Sequence, residues 1–290
     1  MVMKPCPPPL GATRRPHFTV PPLSCDCHVH VFGPSHTFPY SPERSYTPQD
    51  CPLEMLEDLH KALGFDRCVI VHGGAHGTDN SVTLDALTRS PRTLRGVAVI
   101  PSGLPDATID AMDKAGMRGC RMSTVVSGGA GFEHLEALAD QCANFGWHVM
   151  LHFGKPGELV DIAPRLNKLH VPFVLDHLAR IDGAEGISSK AFSVLEGLLD
   201  NDNCWVKLAS LYRLSSEEHP YKDMLGMIHR TVEKRPNRII WGSNWPHPIY
   251  TGTMPDDSDL VDLIPLWVPD PGTRQRMLVD NPNVLYRFNS

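Results

Sequence analysis

A closed barrel of eight parallel strands alternating with helices, a (β/α)8 or TIM barrel in the α/β class, is the fold that the sequence predicts. Two observations predict it. Short apolar runs recur along the chain, each followed by a loop and a stretch with helical periodicity, over about 250 residues, the usual length of such a barrel. No glycine-rich phosphate loop follows the first run, as an open doubly wound sheet would be expected to show. The apolar runs are CDCHVHVF (25–32), RCVIVHG (67–73), LRGVAVI (94–100), MRGCRMS (117–123), WHVMLHF (147–153), PFVLDHL (172–178), CWVKLAS (204–210) and RIIWGSN (238–244). The helical stretches are PLEMLEDLHKALG, NSVTLDALTRS, PDATIDAMDKAG, GFEHLEALADQCANFG, PGELVDIAPRLNKLH, SSKAFSVLEGLLDN and HPYKDMLGMIHRTVEKR, with TRQRMLVDN closing the chain. Their apolar residues fall three and four apart, which builds one buried helix face, and several end in Gly.

Residues 1–20 are proline-rich and predict an extended arm, and residues 21–290 a single barrel domain without linker or low-complexity segment. A chain of 290 residues, 41% hydrophobic and 21% charged, suits one large α/β domain or two small ones. Its net charge of -6 argues against a nucleic-acid or anionic-membrane surface. No apolar run approaches the roughly 20 residues that span a bilayer. The N-terminal stretch lacks the apolar core of a secretory signal, so a cytoplasmic location is expected. Assembly as a homo-oligomer is compatible with the composition. The 8 cysteines are scattered and form no CxxC pair, which predicts mostly buried free thiols and no structural zinc of that type.

In such a barrel the chemistry gathers where the strands end. The polar residues there are His28 and His30, His72 and His76, Arg121, His152, His177 and Arg180, Lys207, Tyr212 and Arg213, and Asn244 and His247. A lone histidine among these is most simply a hydrogen-bonded core residue. His28, His30, His152 and His177 together make coincidence a poor explanation. A spacing of two puts His28 and His30 on one strand face, which in a barrel points inward.

The HxH of the first strand, a His on the fifth, a His on the sixth and a polar residue ending the eighth resemble the amidohydrolase superfamily. DCHVHVFGP, FPYSPERSYTPQD, HGTDNSVTLDAL, MRGCRM, LDHLAR and WGSNWPHP are similar to the 2-pyrone-4,6-dicarboxylate lactonase family within it, over about residues 18 to 288. The resemblance implies a lactone-opening enzyme in which the catalytic residues are His28, His30, His177 and Asn244. It implies that Tyr46, Arg121, Arg180 and Arg213 bind a small anionic lactone, and the strand-end residues His152 and His247 are expected to join them. Guanidinium groups suit that task because two parallel N–H donors match a carboxylate.

Several positions depart from that family. Glycine in HGGAHG (72–77) replaces a serine, the loop STVVSGGAG lacks a second arginine, His152 replaces a tyrosine, and Asn244 replaces an aspartate. One carboxylate clamp is therefore weakened, and a different lactone is expected. The SGGAG loop, YRLSSEEHPYKD and the Asn are similar to galactarolactone isomerase. The alternatives to hydrolysis are thus migration of the acyl group within one sugar acid, or a non-catalytic binder of a carboxylated ligand. Work without a cofactor is expected; if a zinc ion is held, His28, His30, His177 and His152 are its candidate ligands. A histidine titrating near 6.5 is expected to serve as general base.

Overall fold

The computed structural model describes residues 4–90, 93–126 and 129–288. Each expected apolar run contains one strand: Cys25–Val29, Arg67–Val71, Leu94–Ala98, Met117–Ser123, His148–His152, Phe173–Leu175, Cys204–Ala209 and Ile239–Gly242. All pair in parallel with their neighbours in chain order, as one 8-stranded sheet. The last strand meets the first. Asn244 N–H donates to the His28 carbonyl at 2.8 Å, and His30 N–H to that of Trp245 at 2.8 Å. The seam needs a glycine, since a Cβ on Gly242 would lie 2.5 Å from that of His28.

Helices α1 (Leu53–Leu63), α2 (Ser81–Arg89), α3 (Asp106–Ala115), α4 (Leu135–Ala143), α5 (Pro156–Leu166), α6 (Lys190–Leu198) and α7 (Leu225–Lys234) fill the gaps between strands. Gly64 and Gly116 end α1 and α3 at φ 88° and 111°, a conformation that glycine reaches without a Cβ clash. Three helical expectations shift. The stretch from 131 becomes a 3-10 turn before α4. The stretch from 219 starts as α7 only at Leu225, because Pro220 and a left-handed Tyr221 (φ 57°) hold off the helix. The closing stretch is a π turn at Arg276–Asp280 between two short helices, Pro271–Gln275 and Asn281–Tyr286. The helices Asp257–Asp262 and Ile264–Trp267 carry too few residues for a readable period.

Strict alternation would set Cys25 and Cys27 opposite His28 and His30. The register of the first strand shifts between Asp26 and Val29, and such a bulge turns both pairs inward. Cys25 and Cys27 pack with Val69, Val71, Val97, Met150, Val174 and Ile240, and Leu285, Tyr286 and Phe288 close that end. All eight cysteines are buried free thiols. The N-terminal segment is strapped over the opposite end: Lys4–Pro5 pairs with Tyr46–Thr47, and Gly11 accepts from Asp257 N–H at 3.1 Å. Residues 1–3 of the expected arm lie outside the described residues. Among the described residues no helix is long and apolar enough to cross a membrane.

Candidate active site

At the C-terminal mouth of the barrel lies a cavity of about 300 Å³. Eight of the expected site residues line it: His30, Tyr46, Arg121, His152, His177, Arg180, Arg213 and Asn244. Val125, Val126, Pro248, Ile249 and Tyr250 supply an apolar side. Two expected residues are elsewhere. His28 is fully buried beneath the wall, and His247 is fully buried behind it, between Tyr212 and Asp257. Of the SGGAG loop, Ser127 and Gly128 lie outside the described residues.

Strained backbone aims several of these side chains. His177, Leu178, Ala179 and Arg180 form a left-handed turn with φ of 51°, 49°, 52° and 62°. Each such residue costs about 1–2 kcal/mol for an L-amino acid. Leu178 and Ala179 are fully buried, so packing holds the turn, and His177 and Arg180 both reach the cavity. Ser210, Asn244 and Ile249, also on the wall, have φ of 58°, 69° and 69°.

Beneath the cavity sits a carboxylate that sequence reasoning passed over. Asp176 is fully buried, with Arg121 Nη2 at 2.7 Å, His28 Nδ1 at 3.1 Å, His177 Nε2 at 3.4 Å and Lys207 Nζ at 3.7 Å. Burial alone would raise its pKa. The facing His177, His28, Lys207 and Arg121 outweigh burial and hold it well below the usual carboxylate range. The signal for it was present: inward Arg121 and Lys207 demand a buried anion, and Asp176 stands at a strand end beside His177.

The histidines are not poised near neutrality, contrary to expectation. His30 and His177 are both pushed down to about 3, first by burial, with Arg121 adding to it. His152 is lowered well below 6.5 for the same reasons. They are neutral at pH 7. His30 Nδ1 lies 2.7 Å from the Val71 carbonyl and His177 Nδ1 3.2 Å from that of Ala209. Each donates there and leaves Nε2 as an acceptor. Charge on the wall comes from arginines. Arg213 donates to the Pro248 carbonyl at 2.8 Å and stacks on Tyr250 at 5.0 Å. Arg180 makes no hydrogen bond or ion pair among the described residues; burial and nearby Arg213 lower its pKa.

His28, Asp176 and His177 have ligand atoms within 4.8 Å of one another, a donor set chemically able to hold a divalent ion. Two cations already use the same carboxylate, with Lys207 also 3.2 Å from His28 Nδ1 and Arg121 3.4 Å from His177 Nε2. A dication about 4 Å from one of them is repelled by about 8 kcal/mol at an effective dielectric of 20. Lys207 and Arg121 thus compete with an ion for the Asp176 carboxylate.

The amidohydrolase family profile matches residues 25–288. The chain is similar to a 4-sulfomuconolactone hydrolase from Rhizobium radiobacter, 36% identical over 97% of this chain and 96% of that protein. It is 36% identical to a 2-pyrone-4,6-dicarboxylate hydrolase from Comamonas testosteroni over 94% of this chain and 92% of that protein. It is 30% identical to a D-galactarolactone isomerase from Agrobacterium fabrum over 96% and 95%. A crystal structure of an apo protein from Agrobacterium tumefaciens superposes with a TM-score of 0.85 at 30% identity, over 94% of this chain and 98% of that one.

Proposed function

The chain belongs to the amidohydrolase family, and from that premise we propose that it hydrolyses a small carboxylated lactone. The observation that carries this reading is Arg180, a half-buried guanidinium without a partner among the described residues, beside Arg213 and above neutral histidines. An unpaired cation in a concave wall is costly unless an anion joins it. Arg180 and Arg213 hold the carboxylate. Arg121 and the Tyr46 hydroxyl polarise the lactone carbonyl as a preformed oxyanion site. Water then attacks the acyl carbon as one of its protons passes to the Nε2 of His30 or His177, the bond from the acyl carbon to the ring oxygen breaks, and the same imidazolium returns the proton to the departing ring oxygen.

Substrate charge tunes the base. Each cation neutralised about 5 Å away is worth about 3 kcal/mol at an effective dielectric of 20, or about two pK units. A bound carboxylate therefore lifts the histidines toward neutrality only when the substrate is present. The proposed chemistry runs on these side chains without a metal.

Asn244 favours a second reading, in which the attacking hydroxyl belongs to the substrate and the acyl group migrates. An amide cannot deprotonate water, whereas a substrate hydroxyl is already positioned. The test is incubation with 2-pyrone-4,6-dicarboxylate, 4-sulfomuconolactone and D-galactarolactone, followed by NMR in water enriched in oxygen-18. Ring opening with label uptake supports hydrolysis. Migration without label supports the second reading, and no turnover of any carboxylated lactone refutes both. Dialysis against EDTA is expected to leave turnover unchanged.

A further inference from the structure

Behind Asn244 a chain of buried polar groups leads away from the cavity. Asn244 Nδ2 donates to the Tyr212 hydroxyl oxygen at 3.2 Å. That oxygen lies 2.7 Å from His247 Nδ1, and His247 Nε2 lies 3.2 Å from Asp257 Oδ1. Arg213 Nε also donates to the Tyr212 oxygen, at 3.4 Å. Exposure is 3% for Asn244, 5% for Tyr212 and 0% for His247 and Asp257, so water does not compete for these bonds.

The protons can be placed. The Asp257 carboxylate oxygen accepts, with His247 Nε2 as the donor facing it. A neutral ring then accepts at Nδ1 from the Tyr212 hydroxyl. A charged ring donates from Nδ1 to a Tyr212 phenolate. In each arrangement the Tyr212 oxygen keeps a lone pair, and the Asn244 amide nitrogen donates to it. The amide nitrogen is drawn toward Tyr212, which turns the carbonyl oxygen the other way. His247 N–H also donates to the main-chain carbonyl of Asn244 at 2.8 Å, which ties the two residues together, with φ of 58° and 69°. Charges support the pairing. Burial alone would lower His247, but Tyr212 and Asp257 push it up to about 9. Burial alone would raise Tyr212, but His247 and Arg213 bring it below its ordinary value.

We propose that Tyr212, held by His247 and Asp257, is a positioning residue. It fixes the Asn244 amide with its carbonyl oxygen toward the cavity, where that oxygen accepts a hydrogen bond from the hydroxyl that attacks the lactone. The proposal rests on the lactone reading above. Asn244 then shares with a carboxylate the task of aligning the nucleophile but not that of taking its proton. Rigid placement matters because an attacking oxygen misplaced by about 1 Å can cost 100-fold in rate.

Two measurements on the full chain test this. In protein labelled with [15N]asparagine, the side-chain amide of Asn244 is assigned by its loss in Asn244→Asp. Its exchange with solvent is expected to be slow in the parent and at least tenfold faster in Tyr212→Phe, with His247→Gln as a second variant. Unchanged exchange in both variants overturns the proposal. With 2-pyrone-4,6-dicarboxylate as probe, Tyr212→Phe should lower kcat at least 30-fold with KM within threefold. In an Asn244→Ala background it should lower kcat less than threefold, because the two residues act as one unit. Equal losses in both backgrounds overturn the proposal, since Tyr212 would then be a scaffold. If the parent opens none of the three lactones while Tyr212→Phe still frees the amide, the lactone reading fails and the anchoring stands.

Discussion

The two halves of the barrel interior use the same eight strands in opposite ways. Low in the barrel, Cys25, Cys27, Val69, Val71, Val97 and Ile240 fill the space under the cap of Leu285, Tyr286 and Phe288. At the mouth, the same strands offer His30, Arg121, His152, His177 and Asn244 around a cavity. Each half buries histidine. His148, low on the fifth strand, is buried and packs against Tyr286 at 5.2 Å. His177, at the mouth, is bonded to the Ala209 carbonyl and faces a carboxylate and a guanidinium. Burial sets the neutral state in both places. What differs is the company: one ring packs against the aromatic cap of the barrel floor, and the other faces the cavity beside charges that a ligand can rearrange.

The largest expected effect is at the charge cluster of the mouth. Asp176→Asn leaves Arg121 and Lys207 buried without their anion. Removing one partner of a buried ion pair costs about 3–5 kcal/mol. Urea unfolding should show a loss of that order, and lactone turnover should vanish. Cys27→Ala in the lower half should cost about 1–2 kcal/mol and leave turnover within twofold. A similar loss of turnover from both would erase the distinction between the halves.

Arg180→Met should separate binding from folding. The guanidinium has no partner among the described residues, so the melting temperature should hold or rise. KM for a carboxylated lactone should rise roughly 100-fold, the worth of a charge-assisted hydrogen bond pair of about 3 kcal/mol. An equal rise for an uncharged lactone would show damage to the wall rather than loss of a clamp.

Acid should expose the lower half. His148, like His30 and His177, is held near 3 by burial, whereas an unfolded histidine titrates at about 6.5. The folded pKa is depressed, so the stability is fully present above about 6.5 and is lost as pH falls toward 3. His148→Leu should reduce the slope of stability against pH between 6 and 4 by up to about 1.4 kcal/mol per unit. Turnover at pH 7 should not move. A slope unchanged by this substitution would mean that His148 already shares a proton in the fold.

The smallest expected effect is Asn244→Asp. The new carboxylate, close to the Tyr212 oxygen, can take a proton from water, and hydrolysis should rise a few-fold relative to acyl migration. Equal product ratios in parent and variant would remove proton acceptance as the distinction at this position.

Much of this was legible in the chain. Short apolar runs between period-3.6 stretches specify strands and helices through local contacts alone, and the sequential pairing follows from right-handed crossovers. The inward face of His28 and His30 follows from their spacing. The inward turn of Cys25 and Cys27 does not, because a bulge arises from how the first strand fits the second and eighth. His247 was readable as a polar residue just beyond a strand end, but its place behind the wall was not, since Asp257 comes from a helix too short to show a period.

By itself, then, the order of residues determined the barrel, its eight strands and most of the side chains at its mouth, because these depend on periodicity and on which strand ends are polar. Only the tertiary structure decided that Asp176 is buried between Arg121 and Lys207, that His30, His152 and His177 are neutral, and that Tyr212 bonds the Asn244 amide. Protonation and pairing depend on distances between side chains far apart in sequence, such as Lys207 and His28 at 3.2 Å. In a buried site those few ångströms, rather than residue type, set the electrostatic energy.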